Sequence, residues 1–469
     1  MTVKLNHLQG QRIGVVGLAR SGLATVRSAI AGGANVLAWD DRESARDAAA
    51  ELGARIAEPE DWAWPELSSL VLAPGIPLTH PEPHKVVGLA ANAAVEIISD
   101  IELLWREVDA RGLGDQCRFV AITGTNGKST TTALIGHVLA EAGMRVSVGG
   151  NIGRSALDLD DPADDRIYVL EMSSYQLDLT VRFRPHVAVW LNLTPDHLDR
   201  HGDMTGYRLA KERIFANMGA HDTAVLGIDE PVMEDVAARL VEWGVPILET
   251  VSVEENEGAS FFVNSEGRLI ESGEPSVSFA PLPTLRGRHN WQNAACAYGA
   301  VRALGLTIDQ VMTGMQSFPG LAHRMEVVGR RGRVLIVNDS KATNADATAK
   351  ALATFEPIYW IAGGVPKAGG IADLAEFFPR IAKAYLIGQA AEDFSATLSR
   401  KVPHVIAGDL QTAVRLAADD AALDEAAEPV ILLSPACASF DQFPDFEARG
   451  DAFRQAVNVL DRSHQETSA

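Results

Sequence analysis

The stretch Gly124-Thr125-Asn126-Gly127-Lys128-Ser129-Thr130 joins a β-type apolar run, Arg118-Phe119-Val120-Ala121-Ile122, to a helical pattern. Its residue types suit it to holding phosphate. Two glycines let the backbone fold tightly, so that successive amide N–H groups and the N-terminus of the next helix point at anionic oxygens, while Lys128 adds a full positive charge. Ser129 stands where a phosphate-bound magnesium needs a hydroxyl oxygen. A generic phosphate loop, G-x-x-x-x-G-K-[ST], requires glycine where this chain has Ile122, so the loop is a shortened relative of that pattern.

Four further groups carry chemistry, each with a structural alternative. Tyr168-Val169-Leu170-Glu171 is an apolar run closing on a carboxylate, and in phosphate-loop enzymes such an acid holds the metal directly or through water; a solvated acid at a strand end is the other reading. His197, in the polar turn after the apolar run at 187–191, is either a ligand or a capping residue. Asn290 and Asn293 share one face of an alanine-rich helix, where two carboxamides read a purine edge or cap the helix. Lys211 belongs with Tyr207, Ala210 and Ile214 to an i, i+3, i+4, i+7 set, which turns it toward the apolar side. A cation there is costly unless paired. Its ammonium either stays inside or snorkels to solvent or to an acid such as Asp199.

Such residues need a scaffold, and the chain supplies one in repeated strand-then-helix units. Runs at 12–17, 34–39 and 69–73 end on Gly17, on Asp40-Asp41-Arg42 and on Pro74-Gly75; the central runs end on the phosphate loop, Asn151, Glu171 and Asn192. Later runs at 334–337, 359–362, 384–387 and 430–433 end again in polar or glycine-rich loops. Alternating strands and helices predict α/β domains with open, largely parallel sheets and flanking helices, whose ligands sit at the strands' C-terminal ends. Boundaries are expected near Ser99 and after Pro319-Gly320, dividing the chain into 1–98, 99–320 and 321–469. Gly17 and Gly22 bracket a G-x-A-x-x-G sequence with Asp40 ending the next strand, which reads as a dinucleotide site or as glycines that permit tight helix-to-sheet packing. Ala19 replaces the middle glycine, and no second cofactor-binding half precedes the phosphate loop.

A length of 469 residues suits about three domains. A formal charge of −21 opposes a broad nucleic-acid surface but not local basic pockets for small anions. Three scattered cysteines fit neither a disulfide framework nor a cysteine zinc site. Neither a signal core in the first ten residues nor a run of roughly 20 apolar residues is found, so a soluble, cytoplasmic protein is expected.

The phosphate loop, Glu171-Met172-Ser173-Ser174-Tyr175-Gln176-Leu177, Asn192-Leu193-Thr194-Pro195-Asp196-His197-Leu198-Asp199, Asn338-Asp339-Ser340-Lys341-Ala342-Thr343-Asn344 and Ser434-Pro435-Ala436-Cys437-Ala438-Ser439-Phe440-Asp441-Gln442-Phe443 together resemble the Mur ligases. The resemblance covers essentially the whole chain, in the family's order of uridine-nucleotide, ATP and amino-acid domains: a Rossmann-like first domain, a P-loop-type second and a Rossmann-like third. It is narrowest for the branch that joins D-glutamate to UDP-N-acetylmuramoyl-L-alanine in peptidoglycan precursor synthesis, and so implies an ATP-dependent amide ligase. It implies UDP rather than NAD in the first domain, with Arg20, Ser21, Asp40, Asp41, Arg42 and Gly75 as contacts. ATP would lie on Gly124 to Thr130, with Lys128 at its β- and γ-phosphates and Asn290, Asn293, Arg324 and Asp339 around it. Two magnesium ions are implied, one on Ser129 and Glu171, the other served by His197 and by Lys211 carbamylated with carbon dioxide. Asn151 and His197 match positions at the muramoyl-alanine, and Lys341, Thr343, Lys367, Ser439 and Phe446 match the D-glutamate end. The implied partners are small molecules, acting on a monomer with no nucleic acid and no membrane insertion. Rival readings are another Mur-type or folylpolyglutamate-type amide ligase and, from a different class, an NAD-dependent dehydrogenase; the folate enzymes lack such a first domain.

Overall fold

The structure, a computed structural model, describes residues 2–245, 247–254, 258–271, 273–367 and 369–467. Its first sheet is built from β1 (Arg12–Val16), β2 (Asn35–Trp39), β3 (Arg55–Ile56), β4 (Ser69–Leu72) and β5 (Ile97–Ile98), in the order β3-β2-β1-β4-β5. All neighbours are parallel. The order reverses at β1, so the loops leaving β1 and β4 flank the crevice where ligands of such sheets bind. Gly22 lies so close under β1's exit that a Cβ there would stand 1.9 Å from the Gly17 carbonyl oxygen. Helix-to-sheet packing therefore accounts for this glycine without any ligand.

The second sheet comprises β6 (Arg118–Thr123), β7 (Arg145–Gly150), β8 (Arg166–Glu171), β9 (Val187–Trp190), β10 (Thr223–Gly227), β11 (Ile247–Ser252), β12 (Phe261–Val263), β13 (Arg268–Glu271) and β14 (Glu274–Ser278), ordered β14-β13-β12-β11-β10-β9-β6-β8-β7. It is parallel from β7 to β12 and antiparallel from β12 to β14. Strands β8, β9 and β10 are buried almost throughout, as their unbroken apolar runs require for a sheet covered on both faces. These two sheets belong to one compact unit, residues 1–281 and 290–318, and share a continuous apolar core.

Residues 282–289 and 319–469 form the second unit. Its sheet holds β15 (Glu326–Arg331), β16 (Val334–Asn338), β17 (Ile358–Gly363), β18 (Ile381–Ile387), β19 (His404–Gly408) and β20 (Val430–Leu433), ordered β15-β16-β20-β17-β18-β19. Only β15 pairs antiparallel. Alternate residues serve separate cores on the two faces: Val337, Trp360, Leu386 and Leu432 on one, Ile336, Ile361, Ile387 and Ile431 on the other. The sequence runs at 334–337, 359–362, 384–387 and 430–433 are the interior strands. The edge strands β15 and β19 escaped notice because each is only part-buried, so neither needs a continuous apolar run. Among the described residues no helix is long and apolar enough to cross a membrane.

Candidate active site

Strand β6 stops at Thr123, and Gly127, with φ of 83°, caps the helix Lys128–Glu141. That glycine is obligatory on two counts: the backbone is left-handed, and a Cβ would stand 2.2 Å from the Asn293 Oδ1. Asn293 Nδ2 donates to Asn290 Oδ1 at 3.2 Å, and both residues are buried. The carboxamide pair thus packs beneath the phosphate loop. Asn192, at the exit of β9, accepts from the amides of Thr125 and Asn126 at 3.1 and 2.9 Å and donates to the Asn126 carbonyl at 3.2 Å. The loop's amides are therefore not all directed at an anion, as its sequence suggests; those of the helix's first turn remain for that purpose. Asn192 holds the loop in shape, a role signalled in sequence only by its place at a strand end.

Two lysines converge on this turn. Lys128 Nζ donates to the Gly124 and Thr125 carbonyls, both at 2.8 Å. Lys211, only 1% exposed on the helix Met204–Glu212, donates from Nζ to the Gly124 carbonyl at 2.9 Å and to Thr123 Oγ1 at 3.1 Å. Its ammonium lies 4.8 Å from the centre of the Tyr207 ring. It does not snorkel to solvent. Burial, then the charge of Lys128, push the Lys211 pKa well below the usual lysine value, against the pull of Asp196 and Glu171.

Glu171 ends β8 and is 3% exposed, which excludes a solvated strand-end acid. Its Oε1 accepts from Asn151 Nδ2 at 2.8 Å, whereas Oε2 is buried without a partner. An orphaned carboxylate oxygen is costly, and a cation would satisfy it. Ser129, 8% exposed at the loop's end, supplies a hydroxyl of the hard-oxygen kind that magnesium takes. These residues fit the ion. Among the described residues no three His, Cys, Asp or Glu side chains form a metal cluster, so a magnesium here would draw on phosphate oxygens as well. His197 opens the short helix Leu198–His201 with φ of 53° and no side-chain cap bond, so it is not a capping side chain; its exposed ring lies 5.0 Å from that of Tyr175.

At the crevice of the first sheet, Asp40 is engaged from within. Its Oδ2 accepts from the Leu18 amide at 2.7 Å and Arg42 Nη2 at 3.3 Å, and its Oδ1 from the Arg42 amide and Nε at 2.9 and 3.0 Å. Burial raises its pKa, but these bonds prevail and hold the carboxyl below its usual value. A carboxylate with four acceptor sites so occupied has none left for a ribose diol, which removes the main support for a dinucleotide. Arg20, Asp41, Arg42 and Gly75 are exposed around it, and Ser21 is half-buried.

In the second unit, Asp339, Lys341 and Thr343 follow β16, Lys367 follows β17, and Ser439 follows β20. Val365 and Ala438 exchange backbone bonds of 2.9 and 3.1 Å, joining the last two loops. Lys341 Nζ sits 4.1 Å above the Phe446 ring, Ser439 is buried, Thr343 and Arg324 are half-buried, and Lys367 is exposed. Burial raises Asp339 to about 7, opposed by hydrogen bonds from Ser434 and the Met325 amide and by the charge of Arg324. Sequence reasoning missed Arg449. It is 1% exposed, and its guanidinium donates to Ser340 Oγ at 2.9 Å, the Ser340 carbonyl at 2.8 Å and the Cys437 carbonyl at 3.1 Å, tying the loops after β16 and β20 together. An arginine in an amphipathic helix gives no sign of such burial.

Comparison with known proteins matches the Mur ligase middle domain to residues 122–301 and the Mur ligase glutamate ligase domain to residues 323–437. The UDP-N-acetylmuramoylalanine–D-glutamate ligase of Caulobacter sp. (strain K31) is 50% identical over 461 residues, 98% of each chain. The ligase of the same name from Chelativorans sp. (strain BNC1) is 52% identical over 458 residues, 96% of each. Among solved structures, UDP-N-acetylmuramate-alanine ligase from Thermotoga maritima aligns with a TM-score of 0.57 at 17% identity, covering 96% of this chain and 99% of that one. The MurF ligase from Thermotoga maritima in complex with ADP aligns at 0.58 and 16%, covering 98% and 97%. At such identity these two speak for the fold alone. With half its residues shared along nearly its full length, and both domains matched in order, the chain belongs to the Mur ligase family.

Proposed function

We propose that this protein joins D-glutamate to UDP-N-acetylmuramoyl-L-alanine at the expense of ATP, releasing ADP and phosphate, in peptidoglycan precursor synthesis. What carries this reading is the identity of about half the residues with ligases of that name over 98% of the chain. Residues 1–98 serve as a Rossmann-like domain for the uridine nucleotide, with Arg20, Ser21, Asp40, Asp41, Arg42 and Gly75 at its crevice. Residues 99–320 serve ATP, and residues 321–469 serve D-glutamate through Lys341, Thr343, Lys367, Ser439 and Phe446.

A carboxylate is a poor electrophile. Its attack on the γ-phosphorus of ATP gives an acyl phosphate with a good leaving group, and the amine of D-glutamate then adds to the carbonyl, so that the tetrahedral intermediate expels phosphate. Lys128 supplies positive charge at the β- and γ-phosphates, and the first-turn amides of its helix orient them. Asn290 and Asn293 support the loop's underside and the adenosine, with Arg324 and Asp339 completing the nucleotide contacts. Ser129 and Glu171 would hold one magnesium, with His197 and a carbamylated Lys211 serving a second; the ions offset the anionic repulsion between carboxylate and triphosphate. Burial favours the neutral Lys211 amine, the form that adds to carbon dioxide. Asn151, bonded to Glu171, and His197 face the muramoyl-alanine end.

The test is phosphate release from ATP with UDP-N-acetylmuramoyl-L-alanine while the amino acid is varied. Release that requires D-glutamate is expected. Release with a different amino acid would move the protein to another amide-ligase specificity, and NADH oxidation without phosphate release would restore the dehydrogenase.

A further inference from the structure

Strand β4 ends at Leu72, and the loop that follows forms one wall of the first-sheet crevice. Its backbone oxygens are gathered by one side chain from elsewhere in the same compact unit. Arg200 Nη1 donates to the Gly75 carbonyl at 2.8 Å, and its Nη2 donates to the Pro74 and Ile76 carbonyls at 3.3 and 3.1 Å. Three successive carbonyls facing one guanidinium form a strap, and hydrogen bonds to a charged donor are the stronger kind.

Arg200 is itself held. It lies in the short helix that His197 opens, and its guanidinium stacks on the Tyr175 ring at 4.6 Å. Tyr175 in turn lies 5.0 Å from the His197 ring and 5.5 Å from that of His201. Buried His201 shares a 2.9 Å hydrogen bond between its Nε2 and Ser174 Oγ, anchoring the base of the stack. Ile76 and Leu78 of the loop also pack against the apolar cluster that contains Leu72 and Leu179. A small cavity remains beneath the strap, lined by Pro74, Ile76, Leu78, Tyr175, Arg200 and His201.

We propose that Arg200 is a positioning residue: through the Pro74, Gly75 and Ile76 carbonyls it fixes the loop after β4 relative to His197, and so sets the span between the uridine-nucleotide crevice and the reacting carboxyl group. The proposal rests on the function proposed above for its kinetic consequence, though not for its structural one. UDP alone touches only one end of that span, whereas the complete substrate needs both ends in register. A lysine cannot reproduce the strap, because a point charge on a flexible stem lacks the planar fork.

Arg200→Lys and Arg200→Ala are compared with the parent protein and with Arg27→Ala, which breaks a 2.8 Å ion pair to Asp158 elsewhere between the same two sheets' domains. Hydrogen exchange followed by mass spectrometry should show faster exchange in peptides covering 73–79 for both Arg200 variants and unchanged exchange there for Arg27→Ala. ATP titrations should give unaltered affinity and UDP titrations only a small loss through Gly75, while kcat/KM for UDP-N-acetylmuramoyl-L-alanine falls by about 10- to 100-fold, the range expected for lost hydrogen bonds to a charged group. Unchanged exchange in 73–79, or unchanged kcat/KM, would overturn the proposal. So would an equal loss of affinity for UDP alone, which would make Arg200 a nucleotide contact. Failure of the parent protein to release phosphate with D-glutamate would instead defeat the functional reading, and the exchange measurement would still judge the strap.

Discussion

Lys128 and Lys211 donate to the same Gly124 carbonyl, and the charge of Lys128 adds to burial in lowering the Lys211 pKa. Replacing Lys128 with alanine removes charge from the developing phosphate oxygens, and turnover should fall about 100-fold or more while the circular dichroism of the variant stays native. Lys211→Ala should be nearly inactive yet still bind ATP, and short carboxylic acids should restore part of its activity by supplying oxygens the carbamate would have offered; full activity in the variant without them would exclude a modified lysine. Asp339 makes a separate prediction about pH. Its carboxyl is raised from 3.8 to about 7 in the folded protein, so the native state holds a proton that the unfolded chain has lost across that window. This contribution to stability is present below pH 3.8 and disappears as pH rises through about 7. In urea titrations without nucleotide, subtracting the Asp339→Asn curve from that of the parent should reveal this decline, and parallel curves would contradict it.

The turn between β6 and its helix is the element on which the proposed chemistry depends, and the two glycines flanking that helix separate conformation from packing. Gly127 and Gly143 have similar φ values, 83° and 81°, so an alanine at either should cost about 1–2 kcal/mol of backbone strain. Only at Gly127 does the new Cβ meet Asn293, at 2.2 Å; at Gly143 nothing lies within 4 Å. Thermal melts should show both variants destabilised, Gly127→Ala the more so, and calorimetry should show ATP affinity lost in Gly127→Ala alone. Equal ATP binding by the two would mean that Asn293 does not support the loop. The strands themselves divide by environment. Interior β8, β9, β16 and β20 are legible as unbroken apolar runs because a parallel sheet buries both their faces. Edge strands β15 and β19 are not, since one flank is left to solvent and Glu326, Arg330 and His404 are tolerated there.

The proposed ligand groups are shared between two compact units: the phosphate loop, Glu171 and Lys211 in one, Lys341, Thr343, Lys367 and Ser439 in the other. A substitution should therefore move the saturation curve of the ligand that the substituted residue is proposed to hold. Lys367→Ala removes an exposed cation from the loop after β17, and the KM for D-glutamate should rise while that for ATP holds. Initial rates at saturating levels of the other substrates decide this; a raised ATP requirement with unaltered D-glutamate saturation would place Lys367 elsewhere.

The family, the α/β class and the strand-turn-helix at 118–141 were legible in the sequence, because each is written in contiguous residues: glycines at a turn, a lysine and hydroxyl behind them, apolar runs closing on polar loops. Lys211's inward direction was legible too, since helical spacing alone turns it to the apolar side. The alternatives left open at other positions needed the fold. Asp40 proved to be bonded to Leu18, 22 residues away, and Glu171 to carry an oxygen with no partner. Asn293 lies against a glycine of a loop far earlier in the chain. Arg200 and Arg449 gave no advance sign of their roles, and Asn192 gave only its place at a strand end. Most of their partners are backbone carbonyls and amides brought close by chain folding, and a backbone group carries no residue type for a sequence to display.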